Sequence, residues 1–149
     1  MRSNEFQLMV NFGDTDRAGI VYYPNYFKWF DIATHQFFRN IEMPLSKLDA
    51  DHDIIIPLLD VGCTFEKPLY DDDVITIKTV VAEVNEKTIL FNHEVFKGDT
   101  RTGYGHELHG WVRRTDGKLK AVPIPENLKK LLRMNEEMKS HPNNPWLSA

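Results

Sequence analysis

The chain of 149 residues contains a single cysteine, Cys63, which excludes an intramolecular disulfide and with it a disulfide-braced secreted scaffold. It has no apolar run approaching the roughly 18 residues that would cross a bilayer, and no charged-then-apolar leader, so a cytoplasmic protein with no membrane partner is expected. Basic charge is not in excess: 18 Lys and Arg face 22 Asp and Glu, a net charge of -4, which counts against a nucleic-acid partner. Internal repeats and low-complexity stretches are absent. A chain of this length can bury one sizeable core without a metal or cross-link. The expectation is one domain over residues 1–140 and a C-terminal tail over residues 141–149, where two prolines and no periodicity surround Trp146.

Residues 5–12 (EFQLMVNF) read as a strand, and the acidic segment 13–19 (GDTDRAG) as a turn. Pro24 and Asn25 suit the first turn of a helix, where a missing N–H costs nothing. Beyond them Tyr26, Phe30, Ala33 and Phe37 repeat with helical spacing, and Phe27 and Phe38 add bulk beside the stripe. A helix this apolar predicts burial over most of its girth.

From residue 54 the pattern is strand-like: 54–61, 61–68, 74–84, 88–96, 104–114 and 118–122. The connectors carry turn chemistry and are too short for parallel crossovers, so antiparallel pairing is predicted. A last amphipathic helix is expected from Pro125 or Glu126, with Leu128, Leu131, Leu132 and Met138 on one side. The fold class is therefore α+β, an antiparallel sheet wrapped around a long central helix.

Two candidate centres emerge. Asp14 and Asp16 lie just upstream of the helix start near Tyr23. A carboxylate there could act as nucleophile or general base on a carbonyl, while helix-terminal N–H groups stabilise the oxyanion. From spacing alone the two are more simply turn residues whose side chains satisfy backbone N–H groups. His106 and His109 in HELH, with His93 and Glu94 nearby, resemble a zinc motif only in composition. On a strand, residues three apart point to opposite faces, so no metal site is expected and polar positions on the outer face or at an interface are. Cys63, in VGCTF, fits a small buried hydrophobe.

The stretch over residues 11–31, NFGDTDRAGIVYYPNYFKWFD, resembles the signature of the 4-hydroxybenzoyl-CoA thioesterase family of hotdog-fold enzymes. An acidic pair one residue apart, a small pair, an apolar pair, aromatics, Pro-Asn-Tyr and an aromatic helix ending in an acid are all present. PLYDDDVITI from Pro68 and KAVPIPENL from Lys120 extend the similarity over most of the first 132 residues. The resemblance implies a hotdog fold whose sheet continues into a second subunit, commonly as a dimer of dimers. It implies hydrolysis of an acyl-CoA thioester with no cofactor beyond the CoA of the substrate. Asp16 would be catalytic, the backbone N–H of Tyr23 would bind the thioester oxygen, and Asp14 would support them.

Asp31 matches a position that faces the ring hydroxyl of an aryl acyl group, which implies a hydroxybenzoyl or gentisyl substrate; read by itself, Asp31 is a solvated helix residue four before His35. Lys87 resembles a basic turn that contacts the CoA nucleotide, although Asn85 and Glu86 stand where that branch has basic residues. The alternatives are a thioesterase of the same family acting on aliphatic acyl-CoA or acyl carrier protein, and a non-catalytic acyl-CoA binding module.

Overall fold

The computed structural model describes residues 1–140, with side chains to residue 137; the tail expected over residues 141–149, with Trp146, lies outside the described residues. In chain order the elements are β1 (Ser3–Met9), a 3-10 turn (Phe12–Asp14), α1 (Pro24–Asn40), α2 (Leu45–His52), β2 (Ile54–Ile55), β3 (Leu58–Phe65), β4 (Val74–Val84), β5 (Thr88–Lys97), β6 (Thr100–Gly110), β7 (Val112–Thr115), β8 (Lys118–Ala121), α3 (Glu126–Arg133) and β9 (Glu137–Ser140). A six-stranded sheet runs β3-β6-β5-β4-β1-β9, and a small sheet runs β2-β7-β8.

The large sheet curls around α1, the hotdog arrangement. Period-two alternation turns Ile75, Ile77, Thr79 and Val81 of β4 and Ile89, Phe91, His93 and Val95 of β5 inward, all fully buried. Against them α1 presents Tyr26, Phe30, Ala33 and Phe37, the predicted stripe, together with Trp29, Thr34 and Phe38. Burying each of these phenylalanines contributes about 1.5–3 kcal/mol relative to leaving it exposed. Strand β6 passes so close beneath the helix that a Cβ on Gly105 would lie 2.2 Å from the Gly62 carbonyl oxygen and 2.7 Å from the Phe30 ring.

Several sequence expectations are corrected. The first strand ends at Met9, because the Val10 N–H bonds the Asp73 carbonyl and Asn11 starts the 3-10 turn. Helix α2 carries no amphipathic signal: it is eight residues long and buries only Leu48, too little to show as periodicity. Pro57 splits the run 54–61 between the two sheets, and the chain changes sheets again at Trp111, dividing the run 104–114. The last helix stops at Arg133 instead of reaching Met138. Residues 137–140 instead pair parallel with β1, an exception to antiparallel pairing, with the Ser3 N–H on the Glu136 carbonyl and Arg2 3.1 Å from the Glu136 carboxylate. The free edge of β1 offers this segment hydrogen bonds that a charged helical end would not replace. Among the described residues no helix is long and apolar enough to cross a membrane.

Candidate active site

The acidic loop is tied down from both sides. Asp14 accepts the Asn11 N–H on its carboxylate at 2.8 Å, and its carbonyl accepts the Tyr22 N–H and the Asn25 side-chain amide, each at 2.8 Å. Thr15 bridges to Val21, the Asp16 N–H bonds the Ile20 carbonyl, and the Val21 N–H bonds the Leu69 carbonyl. Asp14 is thereby committed to holding the loop against the first turn of α1. Asp16 is exposed; its Oδ1 accepts the Ala18 N–H at 2.8 Å, and among the described residues its Oδ2 accepts no bond. One carboxylate oxygen is anchored and the other is presented to solvent.

Across this loop lies the start of α1. Tyr23 caps the helix with helical backbone angles, φ -53 and ψ -34, and Pro24 follows it. Asn25 and Tyr26 donate to the Tyr22 and Tyr23 carbonyls, whereas the Tyr23 N–H, which precedes the first turn and has no intrahelical acceptor, has no partner among the described residues. It points out of the positive end of the helix dipole. Aromatic rings wall the place: Tyr23 packs edge-on to Tyr22 and Phe65, with Tyr26 against Phe65 at 4.9 Å. A cavity of about 410 Å³ opens among Val21, Tyr23, Tyr26, Phe65 and Leu69. An anchored carboxylate thus sits in a loop that is hydrogen-bonded to the helix start carrying an unused N–H.

Asp31 lies two turns further along α1, 63 % exposed, with its Oδ1 3.5 Å from His35 Nδ1, so the i,i+4 pair exists as a surface contact. His35 Nδ1 donates to the Asp31 carbonyl at 2.9 Å. Both residues line a second cavity, of about 450 Å³, with Thr34, Arg39, Leu58 and His109. Lys87 is exposed in the turn between β4 and β5. The acidic loop sits at the opposite end of β4, where Val10 meets Asp73, about 35 Å away along an eleven-residue strand. Within one chain the structure ties the loop that carries Asp16 to the residues on either side of Tyr23, through the Asp14 carbonyl, and leaves Lys87 remote.

The outer-face expectation for the histidine-rich strands holds for His106, 2.7 Å from Asp60, and for Glu94, 3.1 Å from Arg101. It is overturned for His93, Glu107 and His109, which are buried behind α1. His93 stacks on Phe30 at 4.6 Å. Its Nε2 lies 2.8 Å from Glu107 Oε1, its Nδ1 2.8 Å from the Thr79 hydroxyl, and the Thr34 hydroxyl donates to the same Glu107 oxygen at 2.5 Å. With Glu107 ionised, His93 donates from Nε2 and accepts from Thr79 at Nδ1, a consistent neutral tautomer. Burial pushes the His93 pKa down, against the pull of Glu107. Burial alone would raise Glu107, but His109, His93 and the Thr34 hydroxyl outweigh it and hold the carboxyl well below the usual range. The signal was strand parity: His93 shares a face with Phe91 and Val95, and Glu107 with His109. Cys63 is half-buried, and burial pushes its thiol up to about 11.

The family model described as the thioesterase-like superfamily matches residues 10–132. A 4-hydroxybenzoyl-CoA thioesterase of Pseudomonas sp. (strain CBS-3) is 29% identical over 131 residues, covering 83% of this chain and 93% of that protein. The structure of a gentisyl-coenzyme A thioesterase superposes with a TM-score of 0.76 at 37% identity, over 84% of this chain and 98% of that one. A mutant 4-hydroxybenzoyl-CoA thioesterase complexed with 4-hydroxybenzoyl-CoA superposes with a TM-score of 0.81 at 27% identity, over 89% and 99%.

Proposed function

The chain belongs to the thioesterase-like superfamily, and from that premise we propose that it is an acyl-CoA thioesterase that hydrolyses an aromatic CoA thioester, of hydroxybenzoyl or gentisyl type, to the free acid and CoA. The observation that carries this reading is the tie between the loop bearing the exposed Asp16 carboxylate and the first turn of α1, where the Tyr23 N–H has no partner among the described residues and Tyr23 lines an aromatic-walled cavity. In the proposed reaction the Tyr23 N–H and the helix dipole stabilise the developing oxyanion. Asp16 either attacks the thioester carbon, expelling CoA as thiolate and leaving a mixed anhydride for water to cleave, or takes a proton from the attacking water. Both routes use the ionised carboxylate and need no cofactor beyond the CoA of the substrate. Asp31 is assigned to a ring hydroxyl of the acyl group. The similarity to 4-hydroxybenzoyl-CoA and gentisyl-CoA thioesterases supports the aryl substrate.

The proposal includes a homo-oligomer, built as a dimer of dimers. Strand β3 is the edge of the large sheet, and it exposes Leu58 (48 %), Leu59 (56 %) and Phe65 (46 %). An apolar open edge of this kind favours pairing with another chain. Antiparallel pairing of β3 with its copy would set the Leu58 end of one subunit beside the Phe65 end of the other, and so the cavity at Asp31 beside the partner's cavity at its own acidic loop. In such an assembly Lys87 would serve the CoA nucleotide of a site to which its own Asp16 does not belong. The lone cysteine supports action in the cytoplasm.

The test is steady-state CoA release from benzoyl, 4-hydroxybenzoyl, gentisyl, acetyl and hexanoyl thioesters by wild type and Asp16→Asn. The expected result is fastest turnover of a hydroxylated aryl thioester and a loss of at least about a hundredfold in the variant. Faster aliphatic turnover would overturn the substrate, and binding without turnover would overturn the enzyme in favour of a binding module.

A further inference from the structure

A third cavity, of about 370 Å³, opens between α2, α3 and the small sheet. Its walls are apolar, formed by the buried Leu48, Ile54, Trp111 and Leu128 and the partly buried Leu131. Helix α2 stands between it and the cavity beside Asp31, lining this one with Leu48 and His52 and that one with Leu45, Ser46 and Asp49. Three exposed polar side chains reach it, His52, Arg113 and Asn127. None of these three side chains forms a hydrogen bond or ion pair among the described residues. The strand neighbour Arg114, by contrast, is bound to Asp49 at 3.2 Å. In a chain whose net charge is -4, no Asp or Glu among the described residues lines this cavity.

Small-molecule sites are hollows of about 300–1,000 Å³, mostly apolar, with a few polar groups that fix orientation, and this cavity has both features. The Arg113 guanidinium stays charged and presents a planar fork that matches a carboxylate. The apolar walls reward a ring or a short chain attached to it. We propose that this cavity is a second ligand site, separate from the acyl site, and that it takes a compact amphipathic carboxylate. The carboxylate lies on Arg113, with N–H donors of His52 and Asn127 beside it, and the apolar body lies against Trp111, Leu128 and Leu131. The Lys87 carbonyl accepts the Trp111 N–H at 2.8 Å, so the cavity adjoins the turn assigned to the CoA nucleotide, and the test separates the two ligands. The inference does not depend on the acyl group of the substrate.

Calorimetric titration with benzoate and with octanoate, each beside its neutral amide, measures binding without turnover. At least one acid is expected to bind wild type with a Kd below about 1 mM, and its amide at least about tenfold more weakly. Arg113→Gln should weaken that acid at least about tenfold, and Leu131→Trp, which fills the cavity, should remove its binding. Asp31→Asn should leave it within about threefold, because the acyl cavity lies across α2. In Arg113→Gln, kcat/KM for the fastest thioester should stay within about threefold of wild type. Tighter binding of benzoate assigns a ring and of octanoate a chain, and either supports the proposal. Failure of both acids to bind, binding unmoved in Arg113→Gln, or an amide bound as tightly as its acid overturns it. So does a fall of about tenfold or more in kcat/KM for Arg113→Gln, which would assign the cavity to the CoA of the substrate. If Leu131→Trp does not fold, Arg113→Gln, at an exposed position, decides alone. A wild type that turns over no thioester refutes the thioesterase reading and leaves the binding result standing.

Discussion

Acidification from about pH 7.5 to about pH 5 should destabilise the fold through His93, at a slope that linkage fixes. His93 is fully buried between Phe30 and the inner face of the sheet, and burial holds its pKa below the ordinary 6.5 despite the adjacent Glu107 carboxylate. Once the pH drops below the unfolded value, the unfolded chain binds a proton that the native chain refuses. More protons bound in the unfolded state means that stability falls as pH falls, by about 1.4 kcal/mol per unit for one proton. The loss begins near the unfolded value of about 6.5 and continues until the pH reaches the depressed folded value. Glu107 acts with the same sign but lower down: its depressed pKa makes its contribution present above the unfolded carboxyl value and lost only as pH falls toward the folded one. Urea unfolding at fixed protein concentration, followed by the fluorescence of the buried Trp29 and Trp111, measures the slope. His93→Gln keeps a donor toward Glu107 but has nothing to titrate. It should be less stable at about pH 7.5 by roughly 1–3 kcal/mol, having lost the Thr79 bond and the ring stack, and should lack the slope between about pH 6.5 and about pH 5. A wild type whose stability is flat in that range, or a His93→Gln variant with an unchanged slope, would refute the reasoning.

Gly105→Ala should cost about 3 kcal/mol or more, because its Cβ meets the Gly62 backbone as well as the Phe30 ring and neither can move cheaply; a thermal melt decides this, with a near-wild-type Tm counting against it. Asn25→Ala removes the side-chain bond that ties the first turn of α1 to the Asp14 carbonyl. It should lose about 1 kcal/mol of stability and about tenfold in kcat/KM through displacement of Asp16 from the Tyr23 N–H, and a variant with full activity would argue that the tie is dispensable. With its thiol pushed up to about 11, Cys63 should react with a disulfide reagent at least about a hundredfold more slowly in the native protein than in urea, as followed by chromophore release at about pH 8.

What the sequence determined by itself was local. The repeat of Tyr26, Phe30, Ala33 and Phe37, with Pro24 ahead of it, specifies a buried helix because 3.6-residue spacing and a missing N–H act within a few residues. The limits of β4 at Val74 and Val84 and the turns that flank it are set by chemistry of equally short range. The same holds for Asp14, Asp16 and Tyr23, whose hydrogen bonds span eleven residues at most and whose signature could be read in place. Tertiary structure decided everything that depended on which face meets which. Alternation placed His93 with Phe91, and Glu107 with His109, but only the helix packed beneath them made that face the interior and turned polar residues into a buried network. Residues 137–140 follow a helical pattern locally, yet an open sheet edge 134 residues away in sequence captures them, because unpaired strand hydrogen bonds outweigh the continuation of a short charged helix. Lys87 and Asp16 stand at opposite ends of one strand for a reason equally out of reach of pattern: the separation is set by the length and direction of β4, which no motif encodes.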